Sequence, residues 1–483
     1  MGDVNIDLVT HAVARVKSAG YEFQWFRPFA RGKPVLTVGS ASIVDIPVSL
    51  VPESKKVEWK NSVFLITAYH VASESQRLWS TFGSVTRRRF ETHLVGACPD
   101  IDVALLRVDN IPEQERKQLA ALKWGNSDSI HINQTVFAAG FPHGQTSVKM
   151  ARGIISGREQ GSIQFDASVN GGNSGGPLLE SKTTNIIGVV TSSERNAQSM
   201  NYATPIDQVL VRLPRLLAGG MDALPSFNMR TNIASPALLK LLESPEEGAY
   251  VRFVQKDTPL YVEGGLREGD VLLAIRTNKD GWMRVAVDGD VRVPWWTAPV
   301  TQNTIQHRLL LGETISIRYW STKEKKIVEK KVVLTMPDAM AIREYDPRYE
   351  TPDYETFGGA VIMQLAVNHM TQRGAEKGTN WIERFAYLKQ QIEKRTEPIL
   401  VVTHILPSSS LTATVSTMGA GDVITHVNGE RVKTLQEYRN ALKKSEQGKD
   451  SFIVWRTEDG MTTVVDYNVA KKEYERWKND ETK

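Results

Sequence analysis

The sequence predicts a mainly β protein, with one all-β domain followed by two copies of a small α+β module. Three observations carry this. Between residues 34 and 204, short apolar runs such as VFLITA, DVALLRV, TVFAAG, NIIGVV and MNYAT are split by Gly, Pro, Asn and Ser, the pattern of short strands and turns. Further on, LREGDVLLAI at 266–275 is echoed by MGAGDVITHVNGERV at 418–432. Each echo is Gly-Asp-Val followed by alternating apolar residues, and each comes after an apolar strand, GAYVRFV or PILVVTHIL. A repeated supersecondary unit is the economical reading.

The elements follow in order. Residues 5–18 read as an amphipathic helix, with Ile6, Val9, Val13 and Val16 on one side. The aromatic stretch YEFQWFRPFARG comes next, and residues 1–34 are expected to form an N-terminal segment. The strand-rich region is closed by PIDQVLVRLPRLLAGG, a helix ending on glycines, giving a first domain at 35–218. The repeats place modules at 219–338 and 353–475, where ALLKLLES and LQEYRNALKK supply helices. The Pro-, Tyr- and charge-rich stretch at 339–352 is the expected linker, and 476–483 a tail.

Composition narrows the class. The 483 residues are 41% hydrophobic and 24% charged, enough for sizeable cores and for about three domains. A net charge of +4 argues for neither nucleic acid nor a membrane surface as a partner. The basic runs at 87–89 and 323–331 read as solvated faces. One cysteine, Cys98, permits no internal disulfide and reads as a small buried residue. The N-terminus lacks the apolar core of a signal peptide, and no stretch is apolar enough to span a bilayer. The expected location is intracellular, in cytoplasm or nucleus.

The chemistry lies in three stretches. GGNSGGPLLE places Ser174 among four glycines, FLITAYHVAS ends a strand on His70, and CPDIDVALLRV opens one at Asp102. The order His, Asp, Ser is that of the chymotrypsin-type serine protease. A serine hydroxyl is a poor nucleophile until an imidazole takes its proton. A carboxylate on the other ring nitrogen fixes the tautomer. The amides of Gly172, Asn173 and Ser174 surround the expected oxyanion hole, with Gly172 and Ser174 as donors. Glycine lets the backbone turn tightly beside a substrate carbonyl. No metal cluster, P-loop or dinucleotide motif is present, the other histidines are scattered, and this chemistry requires no cofactor.

With TAYHV, DIDVALL, DASVNGGNSGGPLL and NYATPID, the chain resembles the HtrA/Deg serine proteases, from about residue 37 onward. YETFGGAVIMQLAV is similar to the plant-type members. The resemblance implies a trypsin-like double β-barrel followed by two PDZ domains, ATP-independent hydrolysis of unfolded or damaged proteins, and assembly into trimers or hexamers. The loop IPVSLVPESKKVEWKN would then meet a neighbouring subunit. Tyr21, Phe23, Trp25, Phe26 and Phe29 fall where the family's trimer contacts lie, with core packing as the competing reading. There are departures. Thr-Ala-Tyr-His stands where Thr-Asn-x-His is common, and Gly39-Ser40-Ala41-Ser42 where Gly-Ser-Gly is common. Asn173 cannot make the ion pair by which digestive trypsins are activated, so loop ordering is the expected switch.

NIIGVVTSS is expected to run beside the substrate, with Gly188, Val189, Val190 and Thr191 on that edge. Ser168 falls near the base of the specificity pocket, with Tyr202 and Val189 on its walls. Cleavage after small or aliphatic residues follows, with Asp166 the residue that most threatens that expectation. PDZ-type peptide capture is expected at Phe227-Asn228-Met229 and at Phe357-Gly358-Gly359-Ala360, against the alternative of ordinary turns into strands. The expected function is serine endopeptidase, with activity rising through about pH 6–7 as His70 loses its proton. The alternative is a latent or inactive protease acting as a peptide-binding chaperone, scaffold or structural oligomer.

Overall fold

The computed structural model describes residues 4–481 apart from 74, 194–199, 257, 336–340, 346–349, 372–380, 408, 414–417 and 448–451. The chain forms two compact units. One comprises Met1–Gly20 with Pro34–Pro337, the other Tyr21–Lys33 with Asp338–Lys483.

The first unit opens with a six-stranded barrel. Its strands are β1 (Val13–Tyr21), β2 (Pro34–Val44), β3 (Val63–Thr67), β4 (Arg77–Thr81), β5 (Phe90–Cys98) and β6 (Val103–Val108), closed by pairing of β5 with β6. A second closed barrel contains β7 (Thr135–Gly140), β8 (Lys149–Glu159), β9 (Ser162–Phe165), β10 (Pro177–Glu180), β11 (Ile186–Ser193) and β12 (Asn201–Pro205). Closure removes free sheet edges and lets alternating side chains fill each interior. The helix Ile206–Ala218 buries Ile206, Val209, Leu213 and Leu216 in one cluster with Leu105 of the first barrel and Val189 of the second. It stops at Gly219, whose φ of 93° suits glycine. The short β13 (Gly220–Met221) then pairs with β5.

The first module completes this unit. Its strands are β14 (Met229–Asn232), β15 (Ala249–Val254), β16 (Val271–Thr277), β17 (Gly281–Arg284), β18 (Thr314–Ser321) and β19 (Lys326–Val333), in the order β14-β15-β16-β18-β19 with β17 on β16. Buried arginines clamp it to the second barrel. Arg212 donates to the carbonyl oxygens of His307 and Leu309 at 2.8 and 2.7 Å. Arg308 reaches back to both carboxylate oxygens of Asp128 at 2.6 and 2.8 Å. Arg158 lies over the rings of Trp295 and Trp296.

The second unit repeats the pattern with one strand added. It contains β20 (Tyr354–Phe357), β21 (Ala360–Gln364), β22 (Leu400–Ile405), β23 (Val423–Val427), β24 (Glu430–Arg431), β25 (Phe452–Thr457) and β26 (Thr462–Asp466). The order is β20-β21-β22-β23-β25-β26 with β24 on β23. The two Gly-Asp-Val echoes open β16 and β23, equivalent strands of the two modules.

The N-terminal expectations need correction. The helix is only Ile6–Ala12, and β1 then pairs with β4 from Arg15↔Thr81 to Ala19↔Arg77. Val13 and Val16 fit a helical stripe, but the burial of β1 alternates along the strand, and pairing prevails over local pattern. Residues 1–34 are not one segment either. Tyr21–Lys33 joins the second unit, where Trp25 packs on Met363 and Ala366, and Phe26 on Leu365, Phe385 and Leu388. Phe29 meets Trp477 edge-on at 5.4 Å. Of the linker at 339–352, residues 339–340 and 346–349 lie outside the described residues, while Ile342 is a core residue of the second unit. The tail from 476 continues the helix Tyr467–Glu481.

Candidate active site

The serine loop lies against the segment that carries His70, since a Cβ at Gly175 would stand 2.9 Å from Ala68 N. The short helix Tyr69–Ala72 begins as β3 ends and carries His70. Asp102 sits just before β6 in a left-handed conformation, φ 53° and ψ 50°, which the short polar Asp tolerates better than most residues. Its Oδ2 lies 2.7 Å from His70 Nδ1, and its Oδ1 accepts from the His70 backbone N–H at 2.9 Å. The carboxylate therefore holds both the ring and the loop beneath it. The His70 and Asp102 side chains are 45% and 29% exposed, so the imidazole is open to a substrate from outside.

Ser174 lies in the turn before β10 and is partly buried. Its Oγ donates to the Thr191 carbonyl oxygen at 3.4 Å. Among the described residues no hydrogen bond joins it to His70. The glycines around it are required by the space. Gly172 has φ 100°, and a Cβ there would stand 2.4 Å from the Phe141 carbonyl oxygen. Gly175 has φ 84°, and a Cβ there would meet Thr67 Oγ1 at 2.1 Å. Among the described residues the N–H groups of Gly172 and Ser174 have no acceptor, leaving two donors at the serine. Asn173 between them is buried, and its Oδ1 has no partner among the described residues.

The substrate-edge expectation needs correction. Gly188, Val189 and Val190 have partners on both sides, since β11 lies between β10 and β12 in a closed barrel. Val190 also exchanges backbone bonds with Gly175 and Gly176 at 2.7 and 2.9 Å. Val189 is fully buried in the interdomain cluster and forms no pocket wall. β11 outruns the four-residue β10, so among the described residues its edge is unpaired by β10 from Thr191 through Ser192 and Ser193. The relative strand lengths were the missed signal. Ser168 is exposed, and Tyr202 is half-buried with its carbonyl accepting from Thr191 Oγ1 at 3.3 Å. Asp166 is turned to the β8 backbone, its Oδ1 accepting from Ile154 N–H at 2.6 Å.

The module turns also differ from expectation. Phe357 and Ala360 are the closing pair of a two-residue hairpin whose turn residues, Gly358 and Gly359, have φ 58° and 88°. Such a turn is built for glycine pairs. β21 is flanked by β20 and β22, so it has no edge for a peptide strand, and the alternative of an ordinary turn holds there. In the first module β14 is an end strand. There the Phe227 N–H is taken by Gln306 Oε1 at 2.8 Å and the Asn228 N–H by Ser226 Oγ at 3.2 Å. Met229 pairs with Val254, and Gln302 Nε2 reaches Thr231 Oγ1 at 3.3 Å. Elsewhere, burial pushes the Cys98 thiol up to about 12, so this cysteine is inert at neutral pH.

Two closed six-stranded barrels with His, Asp and Ser on adjoining segments define a trypsin-like fold, and the family model described as trypsin-like peptidase domain matches residues 57–189. A PDZ domain model matches 343–477. Protease Do-like 5, chloroplastic, of Arabidopsis thaliana is 34% identical over 187 residues, which cover 34% of this chain and 56% of that protein. Putative protease Do-like 3, mitochondrial, of the same plant is 23% identical over 482 residues, 97% of this chain and 78% of that protein. The solved structure of the HtrA-type protease AlgW with decapeptide has a TM-score of 0.48 at 24% identity, covering 68% of this chain and 97% of that one. By its domains the chain is a trypsin-like peptidase with a PDZ domain, and the curated relatives it matches are Do-like, DegP-like and DegS serine proteases. It spans about half the length of the first curated relatives it matches.

These relatives overturn the expected location in cytoplasm or nucleus. Those from plants are chloroplastic or mitochondrial, and others are periplasmic. Among the described residues no helix is long and apolar enough to cross a membrane.

Proposed function

We propose that the chain is an ATP-independent serine endopeptidase acting on unfolded or damaged proteins, with Ser174 as nucleophile, His70 as base and then acid, and Asp102 as the group that orients it. The 2.7 Å contact between His70 Nδ1 and Asp102 Oδ2 carries this reading. It makes Nδ1 the protonated nitrogen and leaves Nε2 as the acceptor. Ser174 Oγ turns from Thr191 to Nε2, gives up its proton and attacks the scissile carbonyl. The resulting oxyanion is received by the N–H groups of Gly172 and Ser174, each donor contributing roughly 10²–10³ in rate. His70 returns the proton to the leaving amine, and the acyl group stays on Ser174 until water repeats the sequence. Thr191, Ser192 and Ser193 supply the backbone edge for the extended substrate. Asp166 is engaged elsewhere, which supports cleavage after small or aliphatic residues.

The Ser174–Thr191 bond favours a second reading, an enzyme latent at rest whose serine is released by substrate or assembly. Homo-oligomers are part of the proposal, supported by exposed Val48 and Val57, 72% and 90% accessible, in the long loop after β2. Digestion of β-casein by wild type and Ser174→Ala, with cut sites read by mass spectrometry, tests both. Cuts after Val, Ala or Ile by wild type alone support the hydrolase. Slow cutting that accelerates with substrate concentration supports latency. A folded, oligomeric wild type that makes no cuts defeats the hydrolase reading.

A further inference from the structure

Three consecutive carbonyl groups around the serine are pinned. His143 N–H donates to Gly171 O at 2.6 Å, Ser40 Oγ donates to Gly172 O at 2.7 Å, and Gly176 N–H donates to Asn173 O at 2.9 Å. In a planar trans peptide the N–H points opposite to the C=O. Pinning Gly171 O therefore aims the Gly172 N–H, and pinning Asn173 O aims the Ser174 N–H. Pinning Gly172 O fixes the peptide between them, so the two donors face one side together.

Two of these pins are backbone amides, which no substitution other than proline removes. The middle one is a side chain. Ser40 is fully buried and makes further bonds to the same machinery. Its Oγ accepts from Phe141 N–H at 2.9 Å, and its own N–H donates to Ser174 O at 2.8 Å. The turn that supplies His143 N–H is held from its far side by Arg15 of β1, which donates to Gly144 O and Gln145 O at 3.0 and 3.2 Å.

We propose that Ser40 is a positioning residue for the oxyanion site, ordering the Gly172 and Ser174 amides through Gly172 O, with Arg15 bracing the turn behind it. Substrate touches neither side chain. Ser40→Ala leaves Gly172 O without its donor, and the peptide between the two amides is then held only through the Asn173 N–H on Asn170 O at 3.0 Å. The neighbouring Ser42 provides a control, since it is equally buried but its Oγ has no partner among the described residues.

The test uses the full chain with wild type, Ser40→Ala, Arg15→Gln and Ser42→Ala. Hydrogen exchange of the peptide covering the serine loop reads its order without needing activity. The rate of fluorophosphonate labelling reads the oxyanion site and rests on the hydrolase reading above, while the final labelled fraction counts folded sites. Expected are faster loop exchange in Ser40→Ala and Arg15→Gln, and labelling at least about tenfold slower in Ser40→Ala. The final labelled fraction and the Ser42→Ala rate stay as in wild type. A kcat that falls at least about tenfold while KM moves less than about threefold belongs to the same outcome. A folded Ser40→Ala with wild-type exchange and labelling rate overturns the proposal, as does a lowered melting temperature with an unchanged rate per labelled site. If wild type does not label but Ser40→Ala still loosens the loop, the hydrolase reading fails and the positioning role stands.

Discussion

A methyl group at position 172 would fall 2.4 Å from the Phe141 carbonyl oxygen, on a backbone with φ 100°. At residue scale this makes the glycine a requirement of the site rather than of the fold. Gly172→Ala is expected to lower kcat by about 10² or more, because a displaced amide forfeits an oxyanion donor, with folding retained by circular dichroism. Near-wild-type turnover in this variant would remove the Gly172 N–H from the mechanism. His70, Asp102 and Ser174 were readable in the sequence because the chemistry demands those residue types in that order among strands. Ser40 was visible there only as part of a departure from a familiar motif. Its partners, Gly172 and Phe141, are remote in the chain, and a hydroxyl that bridges them leaves no local pattern.

At the scale of elements, register decided what the sequence could not. The apolar run NIIGVV was legible as a strand, but which of its residues keep a free edge depends on where β10 stops. The two modules were legible from their Gly-Asp-Val echo, whereas the strand β20, which fills the outer edge of β21, was not. Two glycines serve a carboxylate-binding loop and a hairpin turn equally well, and only pairing separates the two. The first module keeps the end strand β14, and there Gln306 occupies the Phe227 N–H. Gln306→Ala is therefore expected to strengthen binding of a peptide with a free apolar C-terminus to the first module by several fold, read by fluorescence anisotropy. Unchanged affinity would show that this amide does not meet a ligand.

At the scale of the whole molecule, burial holds two histidines down to about 4 from the ordinary 6.5. One is His307 in the clamp, where Arg212 adds to the effect, and the other is His369 in the second unit. Unfolded, both take up protons near pH 6.5; folded, they do not until about pH 4. The unfolded chain thus binds more protons in that window, and stability falls as pH drops through it, by up to about 1.4 kcal/mol per pH unit for each histidine. Thermal unfolding should show a melting temperature that declines between pH 6.5 and 4, and less steeply in His307→Gln. A flat profile would mean these rings become accessible before the units unfold.

The strap at Tyr21–Lys33 bears on how the molecule is made. Its aromatic residues are synthesised well before Met363, Phe385 and Trp477, against which they finish. Until then Trp25 and Phe26 have no core to enter, and contacts between such remote parts of a chain form slowly. The growing chain carries this exposed aromatic segment until those later residues are made. The barrels can close before the second unit does, and that unit's completion waits on segments remote from each other in the chain.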